Sequence, residues 1–211
     1  MSLDLIDLTV TPPGATQPLF APLTLSVAPG QVVTVTGPSG VGKSTLLDAI
    51  GGHLAPGFVA SGRVVLNGRD VTRLPAESRR IGILFQEALL FPHLSVGDNL
   101  AFGLAARIRG RAARRAAVQA ALDQAGLSDF YDRDPATLSG GQRARAALMR
   151  TALAESLALL LDEPFSKLDT ALRADLRRFF FGHVQAHAIP TLMVTHDTED
   201  ARAAAGPVVA L

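Results

Sequence analysis

Residues 37–44 read "GPSGVGKS" and follow directly on the apolar run "QVVTVT" (31–36). Three glycines, a lysine and two serines share these eight positions. A chain that leaves a buried strand with so little side chain can turn sharply and let other atoms close to its backbone, at an entropic cost. The spacing is G-x-x-x-x-G-K-[ST], with Gly37, Gly42, Lys43 and Ser44 at the fixed positions. Its flanks predict the strand–loop–helix context in which this spacing binds phosphate. Successive loop N–H groups converge into an anion nest. The helix starting near Lys43 adds a positive dipole end and unpaired donors. Lys43 supplies a point charge for β- and γ-phosphates, and the Ser44 hydroxyl suits Mg²⁺. The stretch therefore predicts a nucleoside triphosphate, cradled by Gly37, Pro38, Ser39, Gly40, Val41, Gly42, Lys43, Ser44 and Thr45.

Outward from this loop, short aliphatic runs recur: "VVTVT" (32–36), "IGILF" (81–85), "LALLL" (157–161) and "TLMVT" (191–195). Unalternated runs of this length suit strands buried on both faces of a mostly parallel sheet, with helices on either side. "LDLIDLTV" (3–10), "LTLSVAPG" (23–30) and "RVVLNG" (63–68) alternate better and predict an antiparallel β layer beside that sheet. "VGDNLAFGLAARIRG" (96–110) and "RAARRAAVQAALDQAGL" (111–127) have helical spacing. The expected organisation is one α/β domain. Residues 1–87 and 151–211 form its P-loop core with the antiparallel layer, and 88–150 form an inserted helical subdomain. The arginines at 107, 109, 111, 114 and 115 read as a solvated helix face, or as a contact for a partner or lipid headgroups.

Composition narrows the function classes. The 211 residues are 48% hydrophobic, enough for a sizeable core. Lys and Arg number 20 against 19 Asp and Glu, a net charge of +1, which argues against a broad nucleic-acid footprint. Cysteine is absent, which excludes disulfides and thiolate metal sites. "MSLDLIDLTV" has no basic region ahead of its apolar stretch and does not read as a signal peptide. No apolar run approaches the roughly 20 residues of a membrane span, so work at a membrane would need a partner.

Two further motifs carry chemistry. "LALLLDEP" sets Asp162 and Glu163 at the end of a buried strand, on the sheet edge where α/β ligands bind. Asp162 suits the metal, held largely through water, and Glu163 suits activation of an attacking water. The alternative is that both acids cap the next helix. "TLSGGQRARAALMR" (137–150) offers Ser139 as a helix cap, with Gly140 and Gly141 leaving N–H groups bare. That is a second phosphate-binding helix end, or simply a capped turn. One triphosphate cannot easily use both ends, whereas two chains related by a two-fold axis could exchange them.

The chain resembles the ATP-binding subunit of ABC transporters over nearly its whole length. It has the order "GPSGVGKS", "LFQ" ending at Gln86, "LSGGQ" (138–142), "LALLLDEP", "SKLD" (166–169) and "VTH" ending at His196. The resemblance implies ATP and Mg²⁺ as ligands. Gln86 would link Mg²⁺ and the attacking water to the helical subdomain. Ser139, Gly140, Gly141 and Gln142 would close over the ATP of a second copy in a head-to-tail dimer. Asp169 would sit at the dimer seam, and His196 would contact the γ-phosphate. "QEALLFPHLSVGDNLAFGL" (86–104) looks like bacterial small-solute importers, where this stretch receives a helix of the membrane permease subunit. A solute-binding protein is a further partner of that group, and the implied location is the cytoplasmic face of the cell membrane. The resemblance also admits a non-import membrane complex, or a soluble ATPase acting on nucleic acid or ribosomes. Three features depart from the family. "TVTPPGATQ" (9–17) lacks the aromatic residue that usually stacks on adenine, leaving Pro12 or Pro13 as substitutes. Ending at Leu211, the sequence is expected to be without the regulatory domain of sugar-type importers. Lys167 also stands where a small residue is commoner.

Overall fold

The computed structural model of this chain describes residues 1–104 and 108–211, and all their side chains except those of Thr170 and Ala171. The strands are β1 (Leu3–Thr11), β2 (Leu23–Val27), β3 (Val32–Thr36), β4 (Val59–Leu66), β5 (Arg69–Asp70), β6 (Ile81–Leu84), β7 (Ala158–Asp162), β8 (Thr191–Val194) and β9 (Val208–Ala210). The α-helices are α1 (Lys43–Gly51), α2 (Ala76–Arg79), α3 (Val96–Gly103), α4 (Arg111–Gln124), α5 (Gly140–Leu153), α6 (Thr170–Ala186) and α7 (Thr198–Ala204). They belong to two compact units: 1–83 with 156–163 and 181–211, and 84–155 with 164–180.

Both predicted sheets are present. One has the order β6-β7-β8-β3-β9, with β3 parallel to β8 and β9, and β7 parallel to β8. Val33, Thr34 and Val35 are at most 2% exposed, as an unalternated run on a two-sided sheet requires. The other has the order β2-β1-β4-β5 and is antiparallel throughout. β1 buries Leu3 and Leu5, then Leu8 and Val10, so its alternation changes parity midway. A bulge between Ile6 and Thr9, with Asp7 at φ 50°, makes that change. It keeps all four side chains in the core, where an unbulged strand would turn two of them outward. Opposite it, a Cβ on Gly62 would lie 2.3 Å from the Asp7 carbonyl oxygen, so only glycine fits.

A buried arginine ties this layer to α1. Arg79 donates from Nη1 to the Ala49 and Ile50 carbonyls (2.9 and 2.7 Å) in the last turn of α1. It also donates to the carbonyls of Leu74 (2.9 Å) and Thr72 (2.6 Å). The helix that begins at the glycine loop is thus anchored at its far end by a cation suited to a helix C-terminus.

The second unit is mostly helical. Ser95 caps α3 by accepting from the Asp98 N–H (3.1 Å). The expected single helix over 96–110 is shorter: α3 ends at Gly103, and Leu104 turns to extended backbone with its side chain 6% exposed. Arg107 lies outside the described residues; Arg111 and Arg115 are exposed, and Arg114 donates to the Ile108 and Ala101 carbonyls (3.1 and 2.6 Å). Residues 164–180 group with this unit, although the sequence keeps 151–211 whole. Phe165 and Phe180, both fully buried, pack edge-on here with centroids 6.5 Å apart.

Candidate active site

In the first unit the predicted residues gather where β3, β7 and β8 end, on one edge because these strands are parallel. The loop after β3 runs through Gly40 and Gly42 at φ 83° and 102°, and α1 starts at Lys43. Gly42 has a second constraint, since a Cβ there would meet Leu19 at 3.0 Å and Phe20 at 3.4 Å. Pro38, Ser39, Gly40 and Ser44 are exposed, and Gly37, Val41, Gly42, Lys43 and Thr45 are partly buried. The Lys43 ammonium folds back over the loop, donating to the carbonyls of Gly37 (2.8 Å) and Pro38 (2.9 Å).

Asp162 ends β7 and is half-buried. Burial pushes its carboxyl above the usual range; a hydrogen bond from Ser44 lowers it, neighbouring Glu163 raises it and the Lys43 charge lowers it. The Ser44 hydroxyl and Asp162 carboxylate form an oxygen-only pair, the donor chemistry that hard cations such as Mg²⁺ select. Glu163 has φ 51°, a left-handed conformation that costs a non-glycine residue about 1 kcal/mol. Its N–H donates to the Val194 carbonyl (2.9 Å), fixing the kink to β8. Exposed His196, after β8, donates from Nδ1 to Glu163 Oε1 at 2.7 Å. That hydrogen bond, followed by the Glu163 charge, holds the imidazole pKa above its ordinary 6.5.

The remaining predicted residues lie in the second unit. Gln86 is exposed in the loop after β6. At the start of α5 the Ser139 hydroxyl accepts from the Gln142 N–H (3.2 Å), and the Gln142 side chain accepts from the Ser139 N–H (2.9 Å). This capping box uses the first and last of these amides and leaves those of Gly140 and Gly141 outside it. A Cβ on Gly140 would meet nothing within 4 Å, whereas one on Gly141 would lie 3.2 Å from the Lys167 carbonyl. The 166–169 segment therefore meets Gly141 through backbone, and Lys167 is exposed. Asp169, also exposed, opens α6 by accepting from the Leu172 N–H (3.1 Å).

The missing aromatic is not replaced by Phe20, which is 7% exposed and part of the core. Pro13 packs toward Gly57, with Cγ 3.0 Å from where a Cβ would stand. Pro12 opens a turn whose Ala15 N–H donates to its carbonyl (3.2 Å). Leu19 is the side chain nearest Gly42.

Two features escape sequence reading. Asp200, 1% exposed on α7, accepts from the Thr195 hydroxyl (3.2 Å) next to His196. The only signal for it is an acid in the first turn of a helix. Asn99, fully buried on α3, accepts from the Phe91 N–H (2.7 Å) and donates to the Phe91, Leu94 and Ser95 carbonyls. It fixes a segment whose Phe91 ring meets Phe102 edge-on at 4.8 Å, while Phe102 is 69% exposed.

Residues 20–166 match the family model described as ABC transporter. An Escherichia coli K12 protein named an uncharacterized ABC transporter ATP-binding protein, YnjD, is 52% identical over 182 residues, 86% of this chain and 83% of that one. The thiamine import ATP-binding protein ThiQ of Cereibacter sphaeroides is 45% identical, covering 82% of this chain and 74% of its own. The sulfate/thiosulfate import ATP-binding protein CysA of Gloeobacter violaceus is 43% identical over 90% of this chain, which spans 55% of that longer protein. Among solved structures, the dimeric post-hydrolysis state of the ATP-binding cassette MJ0796 bound to ADP and Pi superposes with a TM-score of 0.85 at 27% identity. The match covers 99% of this chain and 94% of that one.

Proposed function

The chain belongs to the ABC transporter family as an ATP-binding, ATP-hydrolysing subunit, and on that premise we propose that it powers import of a small solute through membrane permease subunits. Relatives named for thiamine and for sulfate/thiosulfate import support the direction. Among the described residues no helix is long and apolar enough to cross a membrane, so translocation falls to partner subunits.

The single observation that carries the catalytic reading is the His196–Glu163 hydrogen bond beside the Ser44–Asp162 pair. In this reading the loop amides and Lys43 bind the triphosphate, with the ammonium exchanging the Gly37 and Pro38 carbonyls for phosphate oxygens. Ser44 and Asp162, with Gln86, would hold Mg²⁺, which offsets phosphate charge. Glu163 takes a proton from the attacking water. His196 keeps the Glu163 carboxylate in place and presents its other ring nitrogen to the γ-phosphate.

The partners are a second copy, the permease and a solute-binding protein. The second copy supplies Ser139, Gly140, Gly141, Gln142 and Asp169, and the dimer would place these against its neighbour's triphosphate. The exposed Phe102, with Leu89 at 55% exposure and Phe85 at 38%, offers an apolar face to a permease helix. Such a face is what the centre of a binding interface requires.

The test is reconstitution of the chain with its multi-span permease in vesicles. Import predicts hydrolysis stimulated by a solute-binding protein and ATP-dependent solute accumulation on the side of the membrane that carries the ATPase. Solute movement away from that side would overturn the import reading.

A further inference from the structure

His196 is 74% exposed at its side chain, yet it holds a 2.7 Å bond to Glu163. So exposed an imidazole has few walls to restrict its rotamer; its direction depends on the backbone that carries it. That backbone is braced from below. The Thr195 hydroxyl donates to Asp200 Oδ2 (3.2 Å) and accepts from the Asp197 N–H (3.1 Å), so one side chain ties the residues before and after His196 to α7. Asp197 in turn caps α7 by accepting from the Glu199 N–H (2.7 Å). Thr195 is 1% exposed, as is Asp200. Burying a carboxylate is costly unless it is well bonded, and packing alone would be met by an apolar residue of similar size. The charge acts as well as the shape: Asp197 and Asp200 add, after Glu163, to the upward shift of the His196 pKa.

We propose that Asp200 is a positioning residue for the reaction: through the Thr195 hydroxyl it fixes the backbone on which His196 reaches Glu163. It touches neither nucleotide nor the attacking water. The inference rests on the roles assigned to Glu163 and His196 above, and it adds a residue that neither the motif order nor the sequence pattern singles out.

The experiment uses the full chain assembled with its permease, with wild-type turnover measured in the same assay to establish the ATPase independently. Asp200→Asn, which keeps the volume but removes the charge, is expected to lower kcat about five- to twentyfold and to leave KM for ATP within about twofold, as loss of an interaction made only in the transition state does. Thr195→Val reaches the same link from its other end and should reproduce that split. The double variant should be no slower than the slower single one, because the two residues act as one unit. Unchanged kcat in both single variants would overturn the proposal. So would losses that multiply in the double variant, or a rise in KM matching the fall in kcat. Circular dichroism of each variant separates these outcomes from misfolding, and Thr195→Val decides the matter if Asp200→Asn does not fold.

Discussion

The glycine loop of the first unit and the glycine pair of the second both open helices, and both are assigned to phosphate in the function proposed above, but their surroundings differ. Around the first, the chain supplies its own chemistry: Lys43 over the loop, Ser44 on Asp162, and His196 on Glu163. Around the second, the capping box holds only the Ser139 and Gln142 amides, and open space stands beside Gly140. One site is furnished with reacting groups, and the other is a prepared surface without any. That asymmetry suits a molecule whose second helix start serves another copy's nucleotide.

Substitutions can break or sharpen this contrast. The largest effect is expected from Glu163→Gln, which should lower ATP turnover by about 10²–10⁴-fold, the range typical of a removed general base, while ATP binding measured by calorimetry persists. Wild-type turnover would remove Glu163 from the chemistry. Lys43→Ala comes next. Loss of charged hydrogen bonds worth about 1.5–3 kcal/mol should weaken ATP affinity roughly ten- to a hundredfold, read by equilibrium titration. Gly141→Val acts on the other helix start. Its added side chain meets the Lys167 carbonyl, so it should leave single-copy ATP binding within about twofold while reducing ATP-driven association about tenfold, equivalent to ~1.4 kcal/mol. If binding itself fell, the two helix starts would not be separable. The smallest effect concerns pH. The folded-state pKa of His196 is raised, so its bond to Glu163 contributes stability that is complete below the unfolded value near 6.5 and is lost as pH rises through the folded value. Because the imidazole is 74% exposed, thermal melts of wild type and His196→Ala should differ by no more than a degree or two at pH 6 and converge at pH 9. A gap that widens with pH would contradict the assigned pairing.

Much of this was legible because the information is local. "VVTVT" followed by "GPSGVGKS" dictates strand, loop and helix, since each glycine answers a backbone requirement within a few residues. The four unalternated runs became β3, β6, β7 and β8 for the same reason. What stayed hidden depends on residues distant in sequence. The parity change in β1 needs Gly62 opposite Asp7. α3 ends at Gly103, where Leu104 turns to extended backbone and is buried, which helical spacing cannot report. Arg79, one of 20 basic residues, is a buried anchor for α1 only because four carbonyls converge on it. In the site, the strand-end acids pointed to Glu163 and the resemblance to His196, but their mutual bond and the Thr195–Asp200 brace beneath depend on how distant segments fold together.

The exchange of helix starts between copies is tested most directly by the mass of Glu163→Gln in solution with saturating ATP and Mg²⁺, measured by light scattering on a sizing column. A particle of twice the chain mass that reverts to one chain in the Glu163→Gln/Gly141→Val double variant is the predicted result. A single-chain mass with ATP stoichiometrically bound would contradict it.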